Sequence, residues 1–524
     1  MKKILISIIL LLIAIVTMAY LYFSKLNADH NTSDIGLYAA TSSSGLIFSF
    51  ENEKGITDIL KEQHLFNEIL GDEKYQQLSS LKKHLLNLPK VNQAIENQNI
   101  YFSFVPGSKQ EIDFLCLTQL HNPSHTPQLI HSIKASGTQL EILNNLTKLT
   151  LPDSAVFYLG IKGNLVALSN SQQQVTTILA KTLKDKADKF AEYIQASNRF
   201  NKNSLAQLYI NFNTLPALLK NIIAGKLNGE LSSLNKQNAF AALTYNYSNN
   251  KILLTGTTIA NDPNNYYNLF SDLHAQKISI QNILPINTAS YTIFAIDSYL
   301  PWRKKLDQWF LNKNEDKKIT KLIADINAKY HLNMDDIFPK FFKDQLITFQ
   351  LSTTERIGAI NLTNGDKLMQ LLIDLSEDYT DEIKQLKEAD ILYAYFGMPF
   401  EGFKRPFYII LDNYMVFANN ASTLTAFLNN YNSNRLLINT PNYINANNQL
   451  PGNSSISFYI DHTNSTDIFS KNIYLPYNKH LQSDKGLKKY DSFTYQLSGD
   501  NGKFQTNILI NKQPDVLQKD SLAL

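Results

Sequence analysis

The sequence predicts an α+β fold: an N-terminal transmembrane helix, then two homologous halves of antiparallel sheet packed with helices. Three observations predict it. Apolar alternation breaks at Gly, Asn and Asp residues with hairpin spacing, helical spacing follows many of those hairpins, and short stretches recur about 250 residues downstream.

The 524 residues exceed one ordinary domain, and 44% hydrophobic against 18% charged residues supply a real core. Lys plus Arg (49) nearly balances Asp plus Glu (46), so the chain lacks the concentrated basic field that nucleic-acid binding needs. A single cysteine, Cys116, excludes an intramolecular disulfide framework and any multi-cysteine metal site. It alternates with apolar neighbours and reads as a small buried hydrophobe.

In chain order, residues 1–3 form a cytoplasmic stub, Met1-Lys2-Lys3, before Ile4 to Phe23, twenty residues without a charge. An apolar helix of that length crosses a hydrocarbon core of about 30 Å. Tyr20, Tyr22 and Phe23 suit the membrane–water interface, and Lys2 and Lys3 hold the N-terminus in the cytoplasm, so the body is expected outside it. A cleaved signal peptide is the rival reading, against which Thr17-Met18-Ala19 is a poor cleavage site. Residues 24–44 are polar and small, a tether, and 513–524 form a polar tail.

Between them the halves are expected at 45–275 and 284–512. Val166–Leu179 lies over Met415–Leu428 at an offset of 249. Leu208–Asn211 matches Phe458–Asp461, and Leu243–Ser248 matches Phe493–Ser498, both at 250. A weaker fourth match sets Ile112–Leu117 over Ile357–Leu362 at 245. Hairpins are expected at Ala155–Leu168, Ala241–Thr255, Phe407–Ala418 and Ser492–Leu509, turning at Gly160 and Gly163, Asn249-Asn250, Asp412-Asn413 and Gly499 to Gly502. Helices are expected at Ser171–Lys184, Ser422–Tyr431 and Pro301–Leu311, the last capped by Asp297. Leu-Pro pairs at 151–152, 284–285 and 450–451 precede strands, and the helices are placed against one sheet face.

Phosphate-cradling, nucleophile-elbow and zinc-helix motifs are absent from the sequence, so no catalytic or cofactor-binding residue is assigned and no cofactor is expected. His121, His125 and His131 are the one candidate metal cluster; Pro123 and Pro127 keep the first two off a common helix face, and a polar loop is the simpler reading. Asp374, Glu377, Asp378, Asp381 and Glu382 read as an exposed helical face beside Lys384 and Lys387, and Asp335-Asp336 as a cap. The segment Gly397–Phe407 is a candidate contact loop, with Phe400, Phe403, Lys404, Arg405 and Phe407 facing a lipid, peptide or protein; the alternative folds its Phe rings onto the sheet.

An N-terminal anchor, two strand–helix–hairpin units and strands begun by Leu-Pro with a Tyr-Ile-Asn/Asp step resemble bacterial membrane-anchored envelope proteins with duplicated α+β ectodomains, of the domain-of-unknown-function type. The resemblance implies an exported protein and assigns no functional residue. The expected function is a single-pass envelope protein with a non-catalytic binding or scaffolding ectodomain. Its partners are the membrane, through the N-terminal helix, and an envelope protein, glycan or lipid; nucleic acid is not among them. The alternatives are an extracytoplasmic hydrolase of glycans or peptides, which needs two carboxylates about 5–10 Å apart, and a lipid-handling or chaperone-like module.

Overall fold

A computed structural model describes residues 34–50, 68, 71–96, 98–181, 188–198, 206–225, 238–246, 251–260 and 262–512. The expected membrane helix, its stub and the C-terminal tail lie outside these residues, as does the Asn249-Asn250 turn. Among the described residues no helix is long and apolar enough to cross a membrane.

The chain is α+β, with one large antiparallel sheet of twenty strands and sixteen α-helices among the described residues. Ten strands come from its first part: β1 (Leu46–Phe50), β2 (Ile100–Pro106), β3 (Ile112–Gln119), β4 (Gln139–Leu143), β5 (Leu146–Thr150), β6 (Val156–Lys162), β7 (Leu165–Ser169), β8 (Gln207–Asn211), β9 (Phe240–Asn246) and β10 (Lys251–Ile259). After the short β11 (Gln276–Lys277) come β12 (Thr288–Ala295), β13 (Phe342–Leu351), β14 (Arg356–Leu362), β15 (Ser376–Asp378), β16 (Lys384–Leu386), β17 (Phe407–Leu411) and β18 (Tyr414–Ala418). The last are β19 (Asn453–Ser454), which pairs with β11 apart from the main sheet, then β20 (Ile456–Asp461), β21 (Tyr490–Asp500) and β22 (Lys503–Lys512).

Pairing gives the order β4-β5-β6-β7-β3-β2-β1-β8-β9-β10 in the first part. The second part runs β15-β16-β17-β18-β14-β13-β12-β20-β21-β22, the same order. The two sets meet where β10 pairs antiparallel with β22, Lys251–Thr258 against Phe504–Asn511. The sheet therefore reads the same from either end, with β4 and β15 as its outer edges.

The registers also correct the weak fourth match. Leu115 pairs with Ser169 and Ile357 with Ala418, and Ser169 already lies over Ala418 at 249. Leu115, not Ile112, is thus the counterpart of Ile357, an offset of 242. The three-residue slip is invisible in sequence because both alignments set apolar residues on apolar residues.

Local chemistry explains the elements. Asp412 (φ +50°) and Gly163 (φ +60°) sit in their hairpin turns, where backbone twist favours residues that tolerate positive φ. The helix Ala421–Asn432 buries Leu424, Phe427 and Leu428, the one-turn spacing of an amphipathic face. The helix Gln172–Ala180 ends earlier than the expected Lys184. The helix Tyr299–Asn312 is preceded by Ser298, which makes no side-chain cap bond, and Asp297 instead accepts from the backbone N–H of His274 at 3.2 Å. Where composition predicts a polar tether, Ile35–Ser43 is a helix capped by Asp34, whose carboxylate accepts from Leu37 N at 2.9 Å. Its hydroxyls bond back onto its own turn: Thr41 to Leu37 O at 3.1 Å, Ser43 to Ala39 O at 2.9 Å.

Helices cover both faces of the sheet, not one. On one face a single core runs through both parts and takes in Phe102, Phe114, Leu254, Phe294, Trp302, Phe396, Phe417, Phe458 and Ile508. On the other face there are two separate cores. One lies under helices Ile35–Ser43, Gln172–Ala180 and Lys189–Asn198, the other under Ala421–Asn432 and Tyr443.

At the seam this makes the two faces unequal. Ile252, Leu254, Phe504 and Ile508 are buried, whereas Leu253 on the opposite face of the same strand is half-exposed. Truncating Leu254 to Ala removes a buried side chain between the two parts and is expected to cost about 2–5 kcal/mol, against about 1 kcal/mol for Leu253→Ala, read as denaturant midpoints of the two variants. Equal losses would contradict this assignment of faces.

Candidate functional site

The gap between the two smaller cores is the candidate site. Helix Lys189–Asn198 lies over β9 and helix Pro441–Asn447 over β21. Between them the sheet surface is made by side chains of one parity from β9, β10 and β22. Because facing residues of neighbouring strands share a face, the registers fix a transverse row: Gln207, Thr244, Thr255, Asn507, Gln496 and Ser457. At about 4.8 Å per strand the row extends roughly 24 Å, and every member is an uncharged hydrogen-bonding side chain. Gln207, Thr244, Thr255 and Asn507 are half-exposed, while Gln496 and Ser457 are buried.

Hydrogen bonds hold part of this floor in place. Asn246 Nδ2 donates to Thr255 Oγ1 at 2.9 Å, and Tyr193 on the overlying helix donates to Thr257 O at 2.8 Å. Burial raises the Tyr193 phenol above its ordinary pKa. Phe240 stands 5.9 Å from the Tyr193 ring, so one wall is aromatic. Toward the other wall, Gln449 donates to Asn511 Oδ1 at 2.7 Å and Asn442 to Asp491 Oδ1 at 3.1 Å. Gln496 Oε1 and Asn511 Nδ2 are buried without a partner within the described residues.

Beyond the row lies a buried tyrosine cluster. Tyr291 and Tyr459 stack with centroids 5.1 Å apart, Tyr443 stands edge-on to Tyr459 at 5.2 Å, and the Tyr291 and Tyr443 hydroxyls are 3.0 Å apart. Desolvation, then the charge of Asp461, pushes the Tyr459 phenol far up. Burial pushes Tyr443 to about 12. Asp461 caps helix His462–Asn472 by accepting from Asn464 N at 2.8 Å, yet burial raises its carboxyl above the ordinary range. Only the Tyr-Ile-Asp step of the sequence hinted at this carboxylate.

The residues singled out in the sequence fall elsewhere. His121 and His131 are exposed and His125 half-exposed around the start of helix Thr126–Ala135; a 3₁₀ turn capped by Asn122 precedes it. Among the described residues no group of three or more His, Cys, Asp or Glu is placed to hold a metal. Cys116 is buried, and desolvation pushes its thiol to about 12.

In the expected contact loop Phe400 and Phe403 are core. Their rings stand edge-on to Phe417 at 4.8 and 5.0 Å, because the turn folds them back over β18. Phe407 is half-buried against Tyr379, and the exposed Lys404 and Arg405 reach Asp390 Oδ1 (2.9 Å) and Leu386 O (3.5 Å).

The acidic stretch is not a helical face. Ser376–Asp378 and Lys384–Leu386 form the β15–β16 hairpin, with Lys384 paired to Asp378. Asp381 and Glu382 project at its tip into an open cleft of about 210 Å³ beside Tyr408, Ile410 and Leu428. Nor is Asp335 a cap: Asn333 caps that 3₁₀ turn, and Asp335 accepts from the Tyr395 hydroxyl at 3.0 Å.

Asp461 gives a pH test. Its folded pKa is raised, so ionising it costs stability: the cost is absent below the ordinary Asp range and grows as pH rises toward the folded value. Asp461→Asn keeps an N-cap acceptor and removes the charge. It is expected to melt at or above the parent temperature at pH 7, with the difference closing as pH falls to about 3. A variant less stable at pH 7 than at low pH, relative to the parent, would overturn the assignment. Comparison of the chain with known proteins finds no matching family model, no matching curated protein and no matching solved structure.

Proposed function

We propose that this chain is a single-pass, membrane-anchored envelope protein whose duplicated ectodomain binds an extended, uncharged polymer, a glycan strand, along the seam. The observation that carries the reading is the transverse row of Gln, Thr, Asn and Ser side chains, whose half-exposed members Thr255 and Asn507 stand in the gap between two helical layers. Hydroxyl and amide groups recognise sugar hydroxyls and acetamido groups by hydrogen bonding, and an aromatic wall complements the apolar face of a sugar ring. An uncharged floor gives a charged ligand no electrostatic advantage.

The duplication is supported by the placement of the sequence matches. Val166–Leu179 covers β7 and the helix after it, and Met415–Leu428 covers β18 and the helix after it. Leu208–Asn211 and Phe458–Asp461 fall on β8 and β20, which hold the same position in the strand order. Envelope location rests on the charge-free run Ile4 to Phe23 and its flanking lysines.

Two measurements test the reading. The full chain should sediment with cell membranes and resist alkaline extraction; recovery in the soluble fraction counts against the anchor. In detergent it should co-sediment with insoluble cell-wall glycan. Changing Thr255 and Asn507 together to Ala should weaken that binding about tenfold, the worth of one or two hydrogen bonds, with little change in melting temperature. A parent protein that leaves the glycan in the pellet alone would overturn the proposal.

A further inference from the structure

Far from the seam, β17 has a free edge. The two-residue turn Asp412-Asn413 sets Leu411 against Tyr414, Ile409 against Val416 and Phe407 against Ala418. In an antiparallel hairpin these alternate residues exchange bonds with β18, so the backbone N–H and C=O of Tyr408 and Ile410 point outward. β16 meets Phe407 and Tyr408 and stops there. The outward groups of Ile410 therefore face the 210 Å³ cleft, between Met369 on one lip and Leu428 on the other, with Asp381 and Glu382 at its mouth.

Charge and apolar exposure mark the same corner. Residues 374–387 carry five carboxylates and two lysines, and Asp381 and Glu382 are exposed without an ion pair among the described residues. Ile373, just before this stretch, and Tyr379 within it are 60% and 62% exposed. The corresponding edge in the first part of the chain is different. There Lys162 on β6 donates to Leu179 O at 2.6 Å, and the Leu179 side chain closes over Gly160.

We infer that the outer edge of β17 is a docking slot for an extended segment of another protein that carries a lysine or arginine. The segment adds a strand beside Ile410, sends alternate apolar side chains toward Met369 and Leu428, and pairs its cation with Asp381 and Glu382. Main-chain bonds supply affinity and the acidic mouth supplies selectivity, the division usual in strand addition.

The probe is a capped heptapeptide with lysine at both ends and alternating valine and threonine between; its twin has glutamate ends. Binding to the full chain is read by fluorescence anisotropy. The parent is expected to bind the lysine peptide with a Kd below about 100 μM and the glutamate peptide at least tenfold more weakly. Ile410→Pro removes an outward N–H that β18 does not use and should weaken binding at least tenfold, while Ile410→Val leaves it unchanged. Asp381→Lys combined with Glu382→Lys, on an exposed tip where folding is not at stake, should exchange the preference between the two peptides. No binding by the parent at about 1 mM, equal binding of both peptides, or a charge-reversed variant that keeps the lysine preference overturns the proposal. Glycan co-sedimentation serves as the independent readout and stays at the parent level in these variants.

Discussion

The pairing of β10 with β22 is the interaction on which the rest of the architecture depends. Without it there are two ten-stranded sheets, each with a long hairpin edge exposed; with it there is one sheet and no internal edge. Leu254 faces Ile508 near the middle of this pairing, and Thr258 and Thr506 share a buried hydrogen bond at 2.7 Å across it. Each large apolar side chain buried here contributes on the order of 1.5–3 kcal/mol, and the ladder satisfies backbone groups that would otherwise need water. Twenty strands exceed the span that one twisted open sheet ordinarily sustains. The sheet is reached by joining two units of ordinary size edge to edge.

The same joint decides what each face can be. One core continues across it, so the two parts are bonded both by backbone and by side-chain burial. On the opposite face each part brings its own helical layer, and the layers stop at β9 and β21. In the gap, Thr255, Thr257 and Asn507 on one parity of β10 and β22 are half-exposed beside Leu253, while Leu509 and Asn511 of the same parity are buried, and Ile252, Leu254, Phe504 and Ile508 fill the core on the other parity.

What could be read from the sequence divides along interaction range. The hairpins at Asp412-Asn413 and at Gly499 to Gly502, and the helix after β18, are set by neighbouring residues, and they lie where turn chemistry and one-turn spacing put them. The helix Ile35–Ser43 hides behind Thr41, Ser42 and Ser43, whose hydroxyls are satisfied by carbonyls of the preceding turn, so a small polar composition does not mean a tether. The acidic stretch has charges at helical spacing but is short, and pairing of Lys384 and Gln385 with β17 turns it into a hairpin. Asp335 finds Tyr395 sixty residues away, and the seam row draws on six strands spread from residue 207 to 507, so neither leaves a local signature.

The chemistry of the seam argues that its polarity is retained for use. Leaving a buried amide atom unpaired costs about 1–3 kcal/mol, and apolar replacements of similar volume avoid that cost. Gln496 Oε1 and Asn511 Nδ2 carry this penalty while Leu509, between Asn507 and Asn511 on β22, is fully buried and apolar. The site thus accepts hydrocarbon where it is placed, and sheet stability alone would favour more of it. The half-exposed Gln207, Thr244, Thr255 and Asn507 are the members of the row that a polymer's hydroxyls or amides can reach, and binding there exchanges hydrogen bonds to water for hydrogen bonds to the ligand while the buried amides beneath keep the floor polar.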